Sequence, residues 1–203
     1  MAAIAAKKRQ DVEYVAINMP NGGFTEDEFF EFCQLNDELK IERLSTGQIV
    51  LMSLTGSETG SKNAELTGDF IIWNRKEKLG KVFDSSSGFT LPNSAVRSPD
   101  VAWIPHEKWN RLSADQQKKF APICPDFVCE LASNAKQIPD LREKMEEYID
   151  NGCRLGWLID PFERRTYIYR PNREAEQVAF KETLSGEDIM EGLTVKLTDF
   201  MDA

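Results

Sequence analysis

The sequence contains a single histidine, His106. Hydrolases of the Ser-His-Asp and Cys-His types use a histidine as general base, so any such site here would depend on His106. Nothing close to it marks a nucleophile, and its position after Pro105 predicts a surface loop at the exit of a strand. The sequence therefore argues against a hydrolase built on a catalytic triad.

Cysteine is also scarce, and the four cysteines form no Cys-x-x-Cys pair. A zinc site needs about four ligands, which one histidine and scattered cysteines supply poorly. Cys129 falls within a predicted strand, as a buried thiol does. We expect free thiols in a reducing compartment and no zinc centre.

No apolar run approaches the roughly 20 residues needed to cross a bilayer. Residues 1–10 place a short apolar stretch before their basic residues, which is unlike a secretory signal. These absences predict a cytoplasmic protein without membrane contact. With 203 residues and no repeat or linker, the chain 1–203 is expected to form a single domain with a substantial core.

Acidic residues outnumber basic ones, and the formal net charge is −9. This excess disfavours a broad nucleic-acid surface, because phosphate binding depends mostly on cations, although a bound divalent ion reverses the field of an acidic site. One basic cluster lies near the end of a predicted helix: Arg75, Lys76, Lys78 and Lys81. It is typical of a helix C-terminus, where cations favour the macrodipole, and it is also a candidate phosphate contact.

The hydrophobic pattern predicts helices over about 26–35, 58–79 and 139–151, with a polar helical insertion at 107–120. Strands are expected over about 40–44, 48–54, 81–83, 88–91, 100–104, 126–131, 154–159 and 166–170, with weaker ones at 177–180 and 193–197. Helices and groups of strands thus alternate along the chain. This order favours an α/β (α+β) protein with a mixed β-sheet flanked by helices.

Two acids lie in or beside strands that have a buried pattern, Asp100 and Glu130. Asp126 shares the face of Glu130 but lies roughly 13 Å away at about 3.3 Å per residue, so it is assigned to the strand entrance. If the two strands pair, Asp100 and Glu130 come within the ~4–5 Å that one hard cation bridges. Two alternatives stay open: Asp100 as a turn residue that starts a strand, and Glu130 as the partner of a structural lysine or arginine.

Lys144 lies in the apolar stripe of the helix predicted at 139–151. It is three residues after Leu141 and four before Tyr148, positions that share one face. Its ammonium either extends to solvent or points inward at the carboxylate pair. Two carboxylates and an ammonium at one sheet edge would suit one divalent metal ion and a phosphate.

These residues resemble the Uma2 family of the PD-(D/E)XK nuclease-like superfamily, over about residues 24–170. The matching segments are Pro99-Asp100, the Glu130 strand ending in Ser133, Asp140…Lys144…Tyr148…Gly152, the strand Trp157-Leu158-Ile159-Asp160-Pro161, Ile41-Glu42-Arg43-Leu44 with Gly47, and Met52-Ser53-Leu54-Thr55-Gly56. The resemblance implies a restriction-endonuclease-like core at about 24–170. An N-terminal extension, 1–23, and a C-terminal appendage, 171–203, would flank it.

By position in the family motif, Asp100 matches the metal-binding aspartate and Glu130 the acid of (D/E)XK. The lysine of that motif is replaced by Ala132, and Lys144 on the following helix matches it instead. Glu58 is the candidate accessory acid on the preceding helix, with Glu65 as its rival. Thr59 stands where many relatives have histidine.

The resemblance implies metal-assisted hydrolysis of phosphodiester bonds, with Mg²⁺ or Mn²⁺ held by Asp100, Glu130 and the backbone carbonyl of Leu131. Lys144 would orient the attacking water or offset charge on the phosphoryl oxygens. The expected substrate is nucleic acid, in particular DNA, and a homodimer would suit cleavage of two strands. The alternative is an inactive nuclease-like scaffold that acts as a protein-binding or regulatory module.

Overall fold

The structure is a computed structural model that describes residues 14–19 and 23–201. These residues form two compact units. The first combines the described residues up to Leu54 with Ser86–Ser98 and Leu112–Ile123, and the second combines Thr55–Ser85, Pro99–Arg111 and the described residues from Cys124 onward. The single-domain organisation stays a prediction, and most of the expected extension at 1–23 lies outside the described residues.

The helices of the described residues are α1 (Glu26–Leu35), α2 (Ser57–Glu77), α3 (His106–Trp109), α4 (Ala114–Lys118), α5 (Ile138–Asp150) and α6 (Thr198–Met201). The strands are β1 (Tyr14–Ile17), β2 (Lys40–Arg43), β3 (Ile49–Met52), β4 (Gly80–Asp84), β5 (Phe89–Thr90), β6 (Val96–Arg97), β7 (Val101–Pro105), β8 (Phe127–Leu131), β9 (Leu155–Asp160), β10 (Arg165–Tyr169), β11 (Glu176–Ala179), β12 (Thr183–Ser185) and β13 (Thr194–Lys196). None of the helices in the described part is both long enough and apolar enough to cross a membrane.

The first unit is an antiparallel sheet in the order β1-β3-β2-β6-β5. Its core joins Phe29 of α1 to Ile41 and Ile49 on the sheet. Two charged residues of this unit, Glu42 and Arg43, are buried. Glu42 is 2% exposed and accepts hydrogen bonds from Arg97 at 3.1 Å and from the Ser98 backbone at 2.9 Å. The desolvation cost of burying the Glu42 carboxylate is therefore offset by the charge of Arg97 and by the Ser98 N–H.

The second unit is a mixed sheet in the order β11-β10-β9-β8-β7-β4, in which β8 and β9 are parallel and the other neighbours antiparallel. Side chains alternate between its faces. Phe127, Cys129 and Leu131 pack in the core cluster with α2 and the C-terminal elements. Helix α5 contacts β9 and β10 and reaches Glu130 on the opposite face. This arrangement confirms the expected mixed sheet flanked by helices.

Helix α2 ends at Glu77, two residues before the predicted end at 79. The cap is Lys78 in a left-handed conformation, with φ 56°. Gly80 instead begins β4, where a Cβ atom would lie 2.3 Å from the carbonyl oxygen of Ile104 and 2.6 Å from the Trp103 ring. The glycine is therefore needed for the close approach of β4 to β7.

The polar insertion and the C-terminal segment also differ from expectation. The expected helical stretch at 107–120 is two short helices, α3 and α4, separated by a bend. His106 is the half-buried first residue of α3, so the surface-loop prediction was wrong, because the chain enters helix directly after Pro105. Strand β12 had no sequence signal, yet Leu184 within it is 1% exposed in the core.

Candidate active site

Asp100 lies where the sheet register places it beside Glu130. In the antiparallel pair of β7 and β8, Val101 is opposite Cys129, so the next step of the register sets Asp100 opposite Glu130. Oδ2 of Asp100 accepts a hydrogen bond from the Leu131 backbone N–H at 2.9 Å. The two strands therefore stay adjacent past the end of the ladder. The pairing of β7 with β8 that the sequence analysis assumed is present.

The carbonyl of Leu131 faces the same side of β8 as Asp100. The next residue, Ala132, donates its N–H to Ile159 on β9 at 3.0 Å. In a trans peptide the C=O points opposite to the N–H, so the Leu131 carbonyl points away from β9. Its own N–H points to Asp100, which agrees with this direction, since the two groups of one strand residue face the same neighbour.

Glu130 is buried and held by two side chains of α5. Its Oε1 atom lies 2.9 Å from Nζ of Lys144 and accepts a hydrogen bond from the Tyr148 hydroxyl at 3.2 Å. The Lys144 side chain is 11% exposed, so it points inward and does not extend to solvent. The same contact is expected of a structural ion pair and of a catalytic ammonium beside a metal-binding acid.

Asn63 on α2 is a site residue that the sequence argument missed. Its Nδ2 atom donates to Oδ1 of Asp100 at 3.0 Å. Its Oδ1 atom is buried and has no hydrogen-bond partner among the described residues. A signal was available, because Asn63 lies three residues before Leu66 and seven before Phe70 in the buried stripe of α2. A polar residue in an apolar stripe is the same signal that identified Lys144.

The other predicted or neighbouring acids lie elsewhere. The side chain of Glu58, in the first turn of α2, is 83% exposed and lies 2.6 Å from Lys62. Its rival Glu65 is exposed. Asp126 is buried at the start of β8 and pairs with Lys108 at 3.0 Å, in agreement with a role at the strand entrance.

The donors at this sheet edge are oxygen atoms. Burial raises the pKa of the Cys129 thiol well above its ordinary value, and the charges of Asp100 and Glu130 raise it further. The thiol therefore stays protonated and is a poor ligand. No group of three or more His, Cys, Asp or Glu residues suited to a metal ion occurs within 14–19 and 23–201. Two carboxylates and a carbonyl fit Mg²⁺ or Mn²⁺, because Mg²⁺ commonly uses one or two carboxylates and completes its shell with water and substrate phosphate.

The basic cluster lies at the far end of β7 from Asp100. Arg75 and Lys76 are in the last turn of α2, as a helix C-terminus favours. Gly80 pairs with Pro105 at the end of β7, and Lys81, the next residue, lies over the Trp109 ring at 5.8 Å. The cluster is therefore separate from the carboxylates.

Among the comparisons with known proteins, one shows a family and another shows the fold. A family model, Uma2, described as "Putative restriction endonuclease", matches residues 26–198. A crystal structure described as a "putative nuclease belonging to DUF820" from Anabaena variabilis superposes with a TM-score of 0.71 at 20% identity, over 88% of this chain and 98% of that chain. At this identity the superposition shows the fold, which is restriction-endonuclease-like.

One curated relative matches a short segment. The mouse protein "NADH dehydrogenase [ubiquinone] 1 alpha subcomplex subunit 4-like 2" is 44% identical over 45 residues, which are 21% of this chain and 52% of the mouse protein. The chain thus spans about half the length of that relative. A match of this extent assigns no family.

Proposed function

The chain belongs to the Uma2 family, and from this premise we propose that it is a divalent-metal-dependent endonuclease that hydrolyses phosphodiester bonds in DNA. The family description supports nuclease-like function. Mg²⁺ or Mn²⁺ is the cofactor we propose. Fold alone does not confer activity, so the proposal depends on the site itself.

The observation that carries it is that the β7–β8 ladder ends at Val101 opposite Cys129, so the next residues on the two strands are Asp100 and Glu130. The hydrogen bond from the Leu131 N–H fixes the Asp100 carboxylate at the end of the ladder. We propose that Asp100, Glu130 and the Leu131 carbonyl hold the cation. When bound, the cation supplies Lewis-acid polarisation of the phosphate and activation of water.

Lys144 is the residue that we propose acts on the substrate. Its ammonium lies 2.9 Å from Glu130 and is a compact point charge with three donors. It can orient a water molecule for attack or offset the negative charge that builds on the phosphoryl oxygens. The chain is acidic overall, so a local cation at the site is needed to attract phosphate.

The proposal is tested by calorimetric titration of Mn²⁺ into the wild type, Asp100→Ala and Glu130→Ala. We expect binding in the wild type and its loss in both variants. Glu163→Ala is the matched control, because it removes an exposed acid of the same unit and should leave binding intact. The same proteins are then assayed for Mn²⁺-dependent cleavage of plasmid DNA. Wild-type protein that neither binds Mn²⁺ nor cleaves DNA would contradict the proposal.

A second candidate function is an inactive scaffold that binds another protein. The observation that favours it is the contact between Lys144 and Glu130, in which the lysine ammonium neutralises the buried acid without a metal ion. A scaffold should bind its partner equally well after Asp100→Ala, and it should show no metal-dependent cleavage in any variant. Loss of cleavage in folded Asp100→Ala protein would decide for the nuclease.

A further inference from the structure

The amide of Asn63 uses one of its two polar atoms. Nδ2 donates to Asp100 at 3.0 Å, while Oδ1 is buried without a partner among the described residues. Buried acceptors in native proteins are seldom left without a donor or a cation. The unused oxygen is bonded to the same carbon as Nδ2, so it lies close to the carboxylate that we propose as a metal ligand.

Glu58 and Glu65, the two candidate accessory acids of α2, do not contact Asp100 in this way. Glu58 is paired with Lys62 and largely exposed, and Glu65 is exposed. Within the described chain, Asn63 is the α2 side chain that hydrogen-bonds to Asp100. An amide oxygen is a hard, neutral donor of the kind that Mg²⁺, Mn²⁺ and Ca²⁺ accept.

We propose that Asn63 is the metal-site residue of α2, an inference that rests on the proposed function. Nδ2 holds the Asp100 carboxylate in place, and Oδ1 is a further oxygen donor for the cation. A neutral donor here leaves two carboxylates, Asp100 and Glu130, with Lys144 beside one of them. Because the protein ligands at the site then carry little negative charge, they favour a cation whose shell is completed by substrate phosphate.

The test is Mn²⁺ calorimetry on full-length variants whose fold is checked by circular dichroism. Asn63→Leu removes both polar atoms at similar size, and we expect Mn²⁺ affinity to fall roughly tenfold or more, the range seen when residues that support a metal site are lost. Asn63→Asp replaces the neutral oxygen by a charged one, and we expect affinity to rise about tenfold, since ligand charge tunes affinity. Ala64→Asp is the matched control, because it adds the same charge at the adjacent exposed position of α2.

Thermal melting provides a second readout. Without metal, Asn63→Asp should melt below the wild type, because two carboxylates then face each other. With Mn²⁺ its gain in Tm should exceed that of the wild type and of Ala64→Asp. If Asn63→Leu does not fold, the comparison of Asn63→Asp with Ala64→Asp decides.

The contrary outcomes separate the two proposals. Wild-type binding that Asn63→Asp weakens would show that Asn63 acts by holding Asp100 alone and would overturn the donor role. Equal gains in Mn²⁺ affinity for Asn63→Asp and Ala64→Asp would show that any added negative charge on α2 raises the affinity. That result would also overturn the donor role of Asn63. No Mn²⁺ binding by the wild type would contradict the metal site itself, and the assignment of Asn63 would fall with it.

Discussion

Nζ of Lys144 lies 2.9 Å from Oε1 of Glu130, and the two side chains are 11% and 5% exposed. The pair joins α5 to the central strand β8. Each charge has given up most of its hydration, which costs several kcal/mol per ion unless a partner compensates. The Tyr148 hydroxyl bonds to the same oxygen, so one carboxylate atom connects to two consecutive turns of the helix.

Breaking this pair from one side should cost more than removing it altogether. We expect Lys144→Met to destabilise the protein by about 3 kcal/mol, because it leaves the Glu130 charge buried. The double variant Glu130→Gln/Lys144→Met should lose clearly less than the sum of the single losses. Urea denaturation of the four proteins in chelator at pH 7 measures this coupling. A coupling below about 0.5 kcal/mol would show that the two charges are independent.

Lys144 should also matter for turnover. We expect Lys144→Ala to lower the rate of DNA cleavage by about 10²-fold or more, the scale for loss of one transition-state donor. Mn²⁺ affinity should not fall, because Lys144 competes with the cation for Glu130. Lys196→Ala is the control, since that lysine is an exposed residue of β13 and is in neither the candidate site nor the basic cluster. Unchanged turnover in Lys144→Ala would assign the lysine a structural role alone.

The Tyr148 hydroxyl is a separate support for Glu130. Tyr148→Phe should reduce the free energy of unfolding by about 1.5 kcal/mol, the scale for a hydrogen bond to a charged group. Tyr167→Phe is matched to it, because Tyr167 is also buried and also packs against α5, through Arg142. Chemical denaturation of both variants gives the difference. Equal losses would show that the bond to Glu130 contributes nothing measurable.

Side-chain periodicity predicted how two residues of the candidate site are placed on their elements. Strand alternation placed Glu130 on the face opposite Phe127 and Cys129, and the core cluster has those two residues on the α2 side. The stripe on α5 placed Lys144 among apolar positions and left two orientations open, and in the structure the side chain points inward. The faces of these residues could be predicted because their neighbours are apolar, and the apolar periodicity shows which side of the strand and of the helix is buried.

The contribution of α2 was not found, for a geometric reason. At about 100° per residue, Asn63 is about 60° from Leu66 around the helix axis, whereas Glu65 is about 100° away. Glu58 and Glu65 carry the charge expected of a metal ligand, but the helix turns both side chains towards solvent. The helical pattern groups Tyr148 with the apolar stripe of α5, and the pattern does not show that its hydroxyl reaches Glu130. Periodicity marks Asn63 as a polar residue in a buried stripe, but its role depends on Asp100, which the fold brings across from the helix.

Stability should depend on pH through Asp69 on α2. Burial raises the pKa of Asp69, and the charges of Glu65 and Asp199 raise it further. A carboxyl with a raised pKa destabilises the fold when it is ionised in both states, and it costs nothing once it is protonated in both. Asp69→Asn should therefore raise Tm at pH 7, where the wild-type group is charged.

The gain should be small and should vanish in acid. Asp69 is partly exposed, so solvent screening limits the effect to less than about 1 kcal/mol, or about 2–4 °C at most for a chain of this size. Below the unfolded-state pKa of about 3.9, the wild type and Asp69→Asn should melt alike. Differential scanning calorimetry of both proteins between pH 3 and pH 7 provides the comparison. A gain in Tm that stays constant over this range would assign the effect to packing of the amide and exclude charge as its cause.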